Sequence, residues 1–75
     1  MVTVRVISRS SGKPLKGKKV ALGISGLLAG GVTRGEWTDA NGDAHFEVKP
    51  GHGKVYVGGI KEYEGYLSGR LVVYV

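Results

Sequence analysis

Asp39, Asn41 and Asp43 alternate along the chain, as do the first oxygen ligands of a calcium-binding loop. Such a loop also needs glycine at its sixth position and a bidentate glutamate at its twelfth. Counted from Asp39, those positions hold Ala44 and Pro50. The pattern therefore favours a turn in which Asp and Asn side chains accept hydrogen bonds from nearby backbone amides.

Residues that could support catalysis are scattered. His45 and His52 are the only histidines, they are not closely spaced, and the chain has no cysteine. The serines lie in or next to expected turns or strand ends, and none stands in the G-x-S-x-G elbow of a hydrolase. We therefore predict that the protein is not an enzyme and has no metal and no cofactor.

A glycine-rich segment spans residues 26–31. It lacks the Gly-Lys-Ser/Thr ending of a phosphate-binding loop, and so does the segment 51–54. Leu27 and Leu28 could fold over the open end of the domain or contact a partner.

Basic residues exceed acidic ones, 11 to 6, which gives a net charge of +5. A group of lysines surrounds the first expected loop: Lys13, Lys16, Lys18 and Lys19. These lysines could bind an anionic polymer such as nucleic acid, or they could be a solvated loop that protects sheet edges. A nucleic-acid surface also requires aromatic side chains among the basic ones on one face.

Alternation of apolar and polar residues with period two is the strongest structural signal, and no stretch shows helical periodicity. With 75 residues and 14 glycines, the chain predicts one all-β domain over 1–75 that is rich in turns. Strands are expected at 2–8, 18–25, 33–38, 44–49, 54–60 and 67–75, with displayed loops at 9–17, 26–35 and 61–66. Turn residues at 39–43 and 49–53 predict two hairpins. The expected core contains Val4, Val6, Val20, Leu22, Ile24, Trp37, Phe46, Val48, Val55, Val57, Leu71 and Val73.

Four passages together resemble carboxypeptidase regulatory-like domains. They are GKPLKGKKVAL at 12–22, TDANGDAHF at 38–46, PGHGKVYV at 50–57 and EGY at 64–66. The resemblance implies a Greek-key β-sandwich of the immunoglobulin or prealbumin (transthyretin-like) type with about seven strands. It also implies a non-catalytic module that supports or presents a ligand. The Tyr-Arg-Gly-Ser ending of transthyretin-like 5-hydroxyisourate hydrolases is missing, since the chain ends in GRLVVYV.

Apolar residues also occupy positions that alternation turns away from the core. If Val6 and Val73 face inward, then Ile7, Val72 and Tyr74 face outward, and Tyr56 is expected beside them. Such a patch predicts association with a protein partner or with a second copy, unless the outward residues prove to be scattered or Tyr56 turns into the core. The run Leu71–Val75 could also pair with another chain as an edge strand.

The sequence thus favours a non-catalytic β-sandwich module with a structural or protein-binding role. The alternatives are a binder of nucleic acid or another anionic polymer, and a carbohydrate-binding module that uses Trp37 and the tyrosines. No apolar run approaches the ~20 residues of a membrane-spanning helix, and no signal peptide is visible. We therefore expect either a cytoplasmic protein or a domain of a longer chain.

Overall fold

The structure, a computed structural model, describes residues 1–24 and 31–75. Its regular elements are all strands, and they form two sheets. Over the described ranges, no helix is long and apolar enough to cross a membrane. The strands are β1 (Val2–Ile7), β2 (Lys19–Ile24), β3 (Glu36–Trp37), β4 (Asp43–Phe46), β5 (Gly51–Val57), β6 (Ile60–Leu67) and β7 (Gly69–Tyr74).

The two sheets have the orders β4-β1-β7 and β3-β2-β5-β6. Strand β1 is antiparallel to β4 and parallel to β7, whereas all pairs in the four-stranded sheet are antiparallel. Consecutive strands often belong to different sheets, so the chain crosses repeatedly between the two layers. This arrangement confirms the predicted all-β sandwich of about seven strands.

The core lies between the sheets and follows from the alternation. In β1 the even-numbered valines are buried, and in β2 the same holds for Val20 and Leu22. Each such residue turns its neighbours in the strand to the outer face. The buried apolar residues are Val2, Val4, Val6, Val20, Leu22, Ile24, Ala44, Phe46, Val55, Val57, Leu67 and Val73.

The expected core differs from this set in a few residues. Val48 and Leu71 are partly buried and pack against the core, as does Tyr63. Trp37 was wrongly predicted to be inside, because its side chain is 64% exposed. It pairs with Lys19 at the start of β2, whose neighbour Val20 is the buried one, so the register places Trp37 on the outer face.

Both predicted hairpins prove to be connections between sheets. The turn at 39–43 forms as expected, with Gly42 at φ +80°, but it joins β3 in one sheet to β4 in the other. The segment at 49–53 likewise leads from β4 to β5, and β5 already begins at Gly51. Short turn signals fix a reversal of the chain, but they do not show whether the two strands belong to one sheet.

Strand β6 corrects the expectation of a displayed loop at 61–66. It pairs with β5 along its length and forms one edge of the four-stranded sheet. Its charged residues, such as Lys61 and Glu64, hide the apolar alternation in the sequence. Charged side chains are common in edge strands because they discourage pairing with other chains.

Candidate functional site

The outer face of the four-stranded sheet combines aromatic and basic side chains. Val20 and Leu22 are buried in β2, and Val55 and Val57 are buried in β5. The residues between them therefore face outward. We call this surface the aromatic face. Its members are Lys19, Ala21, Gly23, Trp37, His52, Lys54, Tyr56, Lys61, Glu64 and Tyr66.

Trp37 and Lys19 form one corner of the aromatic face. The two residues pair across β3 and β2, and Lys19 Nζ lies 5.9 Å from the centroid of the indole ring. This distance is within the range of a cation–π interaction. The stem of Lys19 runs past Gly35, where any Cβ atom would collide with it. The corner therefore presents a positive charge and a broad aromatic surface together.

Tyr56 occupies the centre of the aromatic face. It pairs with Ala21, and its ring reaches across the neighbouring Gly23, where a Cβ atom would lie 3.2 Å from Tyr56 Cε2. A glycine on the sheet surface thus allows the aromatic ring to lie close to the backbone. The small residues of β2 create the space in which this ring lies.

Two cavities open on either side of Tyr56. One, of about 240 Å³, is lined by Gly23, Val32, His52, Lys54, Tyr56 and Glu64, among others. The other, of about 450 Å³, is lined by Lys19, Ala21, Val32, Thr33, Gly35 and Tyr56, among others. Because lysine side chains line both cavities, a ligand seated in either would meet a positive charge beside an aromatic ring.

His52 and Tyr66 form the opposite corner of the aromatic face. They pair across β5 and β6, and their ring centroids lie 5.3 Å apart in an edge-to-face arrangement. Tyr66 is 52% exposed. Nearby, Lys61 Nζ donates a 2.9 Å hydrogen bond to Glu64 Oε1, which lowers the pKa of that carboxyl. Glu64 is therefore partly neutralised by Lys61.

The lysines of the first loop are divided by the fold. The backbone of Lys13 accepts a hydrogen bond from Ser8 near the end of β1. Lys18 lies beside Thr38, whose Oγ1 accepts a hydrogen bond from the Lys18 amide and donates one to the carbonyl of Leu15. Buried Thr38 thus fixes the chain that leads into β2. It holds Lys18 one residue before the aromatic face, whereas Lys13 lies near the three-stranded sheet.

These lysines are not engaged in ion pairs within the part of the chain that the structure describes. Lys13, Lys16, Lys18, Lys19 and Lys54 are absent from the ion pairs formed among residues 1–24 and 31–75. The four lysines of the predicted loop are all exposed. Positive charge without acidic partners attracts polyanions.

The outer face of the three-stranded sheet is different, since its charges are paired with one another. Arg5 donates hydrogen bonds of 2.8 and 3.0 Å to the two carboxylate oxygens of Asp43, and Arg70 lies 4.0 Å from the same group. Asp43 is only 5% exposed, and the hydrogen bond from Arg5 lowers its pKa. Thr3 Oγ1 and His45 Nδ1 lie 3.0 Å apart beside this pair. We call this surface the ion-paired face.

The predicted association patch is only partly assembled. Ile7 pairs with Tyr74 across β1 and β7, and Val72 lies two residues before Tyr74 on the same outer side. Val72 and Tyr74 are 46% and 53% exposed. Tyr56 does not join them because it belongs to β5, on the outer face of the other sheet. Three members of the patch therefore lie at one end of the ion-paired face.

The turn residues that resemble calcium ligands have other partners. Asp39 Oδ1 accepts hydrogen bonds from the amides of Asn41 and Asp43, and these bonds lower the pKa of Asp39. Asp43 is engaged with Arg5. Within the described part of the chain, no group of three or more His, Cys, Asp or Glu side chains could hold a metal ion. These contacts agree with the interpretation of 39–43 as a structural turn.

Sequence reasoning considered the aromatic residues and the lysines but missed their proximity. Lys19, Lys54 and Tyr56 are far apart in sequence, and only the pairing of β2 with β5 brings them together. The small residues Ala21 and Gly23 were the available signal, because small outward positions in a strand leave room for a large side chain from its neighbour.

The predicted apolar flap at 26–31 lies almost wholly outside the described residues.

Comparison with protein-family models, with curated proteins and with solved structures gave no match. The resemblance to carboxypeptidase regulatory-like domains therefore stays a prediction.

Proposed function

We propose that this protein is a non-catalytic β-sandwich module that binds an anionic polymer through the aromatic face. The observation that carries the proposal is the presence of Lys19 and Lys54 beside Trp37 and Tyr56 on one sheet. The sequence criterion for such a surface was basic residues among aromatic ones on a single face. The four-stranded sheet meets that criterion.

Charge distribution supports the same function. The arginines of the ion-paired face are engaged with Asp43, whereas Lys18, Lys19 and Lys54 are absent from the ion pairs formed among the described residues. The net charge of +5 adds a general attraction for polyanions. A polymer would therefore be drawn to the end of the sandwich where β2 begins.

The first experiment uses Trp37, which is the only tryptophan in the chain, as a built-in probe. Titration with heparin and with polyphosphate at low salt should change its fluorescence, and added salt should reverse the change. No spectral change and no binding to either polymer at low salt would refute the proposal.

A matched pair of double variants locates the binding surface. Lys19→Gln/Lys54→Gln and Lys13→Gln/Lys49→Gln each remove two positive charges from exposed or half-buried lysines. The first variant should weaken polymer binding about tenfold more than the second, because only its lysines belong to the aromatic face. Equal losses would mean that net charge alone drives binding. Specific loss of neutral glycan binding in a Trp37→Ala variant would instead favour the carbohydrate alternative.

Self-association is a second candidate function, and it depends on the ion-paired face. Strand β7 is an edge strand, and the neighbouring apolar group of Ile7, Val72 and Tyr74 faces outward. Exposed apolar edges are templates for pairing with another chain. Sedimentation of the protein over a range of concentrations tests this role. A dimer that dissociates in a Val72→Lys variant supports it, and a monomer throughout refutes it.

A further inference from the structure

We infer that the polymer bound by the aromatic face is a single-stranded nucleic acid, held by stacking of its bases as well as by its phosphates. This inference rests on the proposed function and adds a requirement for rings in the ligand. Heparin and polyphosphate would satisfy the charges of the face but not its aromatic side chains.

The aromatic residues form a diagonal path across the sheet. From the strand register, Tyr56 lies two strands and about two residues from Trp37, which corresponds to about 12 Å at the usual strand spacing and rise. Tyr66 lies one strand and about four residues further, or about 14 Å. A path of this length matches the shortest footprints of single strands on β-sheet surfaces, about four nucleotides.

Exposure of the rings leaves surface for stacking. Trp37 is 64% exposed, and Lys19 lies over one side of its indole. Tyr66 contacts His52 edge to face, which leaves the tyrosine more than half exposed. Bases of any identity can stack on such rings because every base has a π-face.

Lysines run beside this path. Lys19 stands between Trp37 and Tyr56, and Lys54 stands between Tyr56 and the His52–Tyr66 corner. Lys16 and Lys18 are exposed in the segment that leads into β2. The acidic residues in this region are Glu36, next to Trp37, and Glu62 and Glu64 in β6. Glu64 lies opposite Lys54 in the strand register and forms an ion pair with Lys61. Phosphates can therefore meet Lys19 and Lys54 while bases contact the rings, and Lys61 offsets the charge of Glu64.

The aromatic face suits a single strand better than a duplex. Its rings project from a sheet, and a duplex keeps its bases stacked inside, where these rings do not reach them. Neither a protruding helix nor a β-ribbon is present among the described residues to enter a major groove. Duplex DNA would therefore bind only through its phosphates.

The test measures fluorescence anisotropy of a labelled oligothymidylate of about 12 nucleotides, with a duplex of equal length and unlabelled polyphosphate as competitors. We expect the single strand to bind at least tenfold more tightly than the duplex. The logarithm of its association constant should fall with the logarithm of salt with a slope of about −3, if four lysines each neutralise one phosphate. Tyr66→Ala should weaken binding about tenfold, as expected for one lost stacking contact.

Tyr74→Ala is the matched control, because Tyr74 is as exposed as Tyr66 but lies on the opposite face. It should leave the affinity unchanged, and circular dichroism of both variants verifies their folding. Equal affinity for single strand and duplex, or a neutral Tyr66→Ala, would overturn the inference. If polyphosphate and heparin still bind at Lys19 and Lys54, the proposed function survives that failure. If no polymer binds at low salt, both fail.

Discussion

The two outer faces of this small sandwich use charge in opposite ways. On the ion-paired face, Arg5 and Arg70 surround Asp43, so positive and negative groups satisfy each other. On the aromatic face, Lys19 and Lys54 have aromatic neighbours and no ion-pair partner among the described residues. The comparison teaches that the ion pairs of the first face contribute to folding, whereas Lys19 and Lys54 on the second are the lysines that we propose bind a ligand. Substitutions on the first should therefore alter stability, and those on the second should alter binding.

The largest effect is expected from Asp43→Ala. This change leaves Arg5 without its two hydrogen bonds and opens a gap at a nearly buried position. Loss of charge-assisted hydrogen bonds should lower the free energy of unfolding by about 2 kcal/mol. Urea denaturation measures this loss. Polymer affinity should stay within twofold of that of the unsubstituted protein. A large loss of affinity would contradict the separate roles of the two faces.

Acid should act on the same face. Arg5 holds the pKa of Asp43 below the ordinary aspartate value of 3.8. A pKa lowered by folding adds stability that is fully present above the unfolded value and is lost as the pH falls through the folded value. Urea titrations between pH 6 and about pH 2 should show this decline, and it should be smaller in Asp43→Asn. An identical acid dependence in both proteins would contradict this role of Asp43.

Gly23→Ala tests the aromatic face, where a substitution should alter binding more than stability. The added methyl group would lie 3.2 Å from Tyr56 Cε2, so the ring must shift by a few tenths of an ångström. We expect polymer affinity to fall a few-fold, with a change in unfolding free energy below about 1 kcal/mol, as is usual for surface positions. A Gly51→Ala variant is the control, because a Cβ atom there meets nothing within 4 Å. If Gly23→Ala and Gly51→Ala changed polymer affinity equally, the position of the Tyr56 ring would have no role in binding.

The smallest effect is expected from Val72→Lys on the ion-paired face. The side chain is 46% exposed, so the monomer should lose less than about 0.5 kcal/mol. Sedimentation velocity then reports directly on self-association. Val72→Lys adds one positive charge, which by itself should raise polymer affinity slightly. A larger change in affinity would show that the two faces are coupled.

The sequence predicted the layers of this fold better than its surfaces. Alternating valines in β1 and the buried residues of β2 were recognisable because each strand needs one apolar side. Trp37 was misplaced because an exposed aromatic residue in a two-residue strand has the same local pattern as a buried one. Strand β6 was missed because its charged residues resemble a loop.

The candidate site depended on information that no local pattern contains. Lys19 and Tyr56 were both visible in the sequence, but their proximity depends on which strands pair and in what register. A shift of one residue would have turned Tyr56 into the core. Tyr56 and Tyr74 were expected on one surface for the same reason, and the assignment of β5 and β7 to different sheets separates them.

The most direct test of the aromatic face is to map the contacts of a bound oligothymidylate by amide chemical-shift changes in the labelled protein. The largest changes should fall on the four-stranded sheet, around Lys19, Trp37, Lys54 and Tyr66, with none above the noise in β1, β4 or β7. Changes centred on Arg5, Val72 and Tyr74 instead would contradict the assignment of binding to the four-stranded sheet.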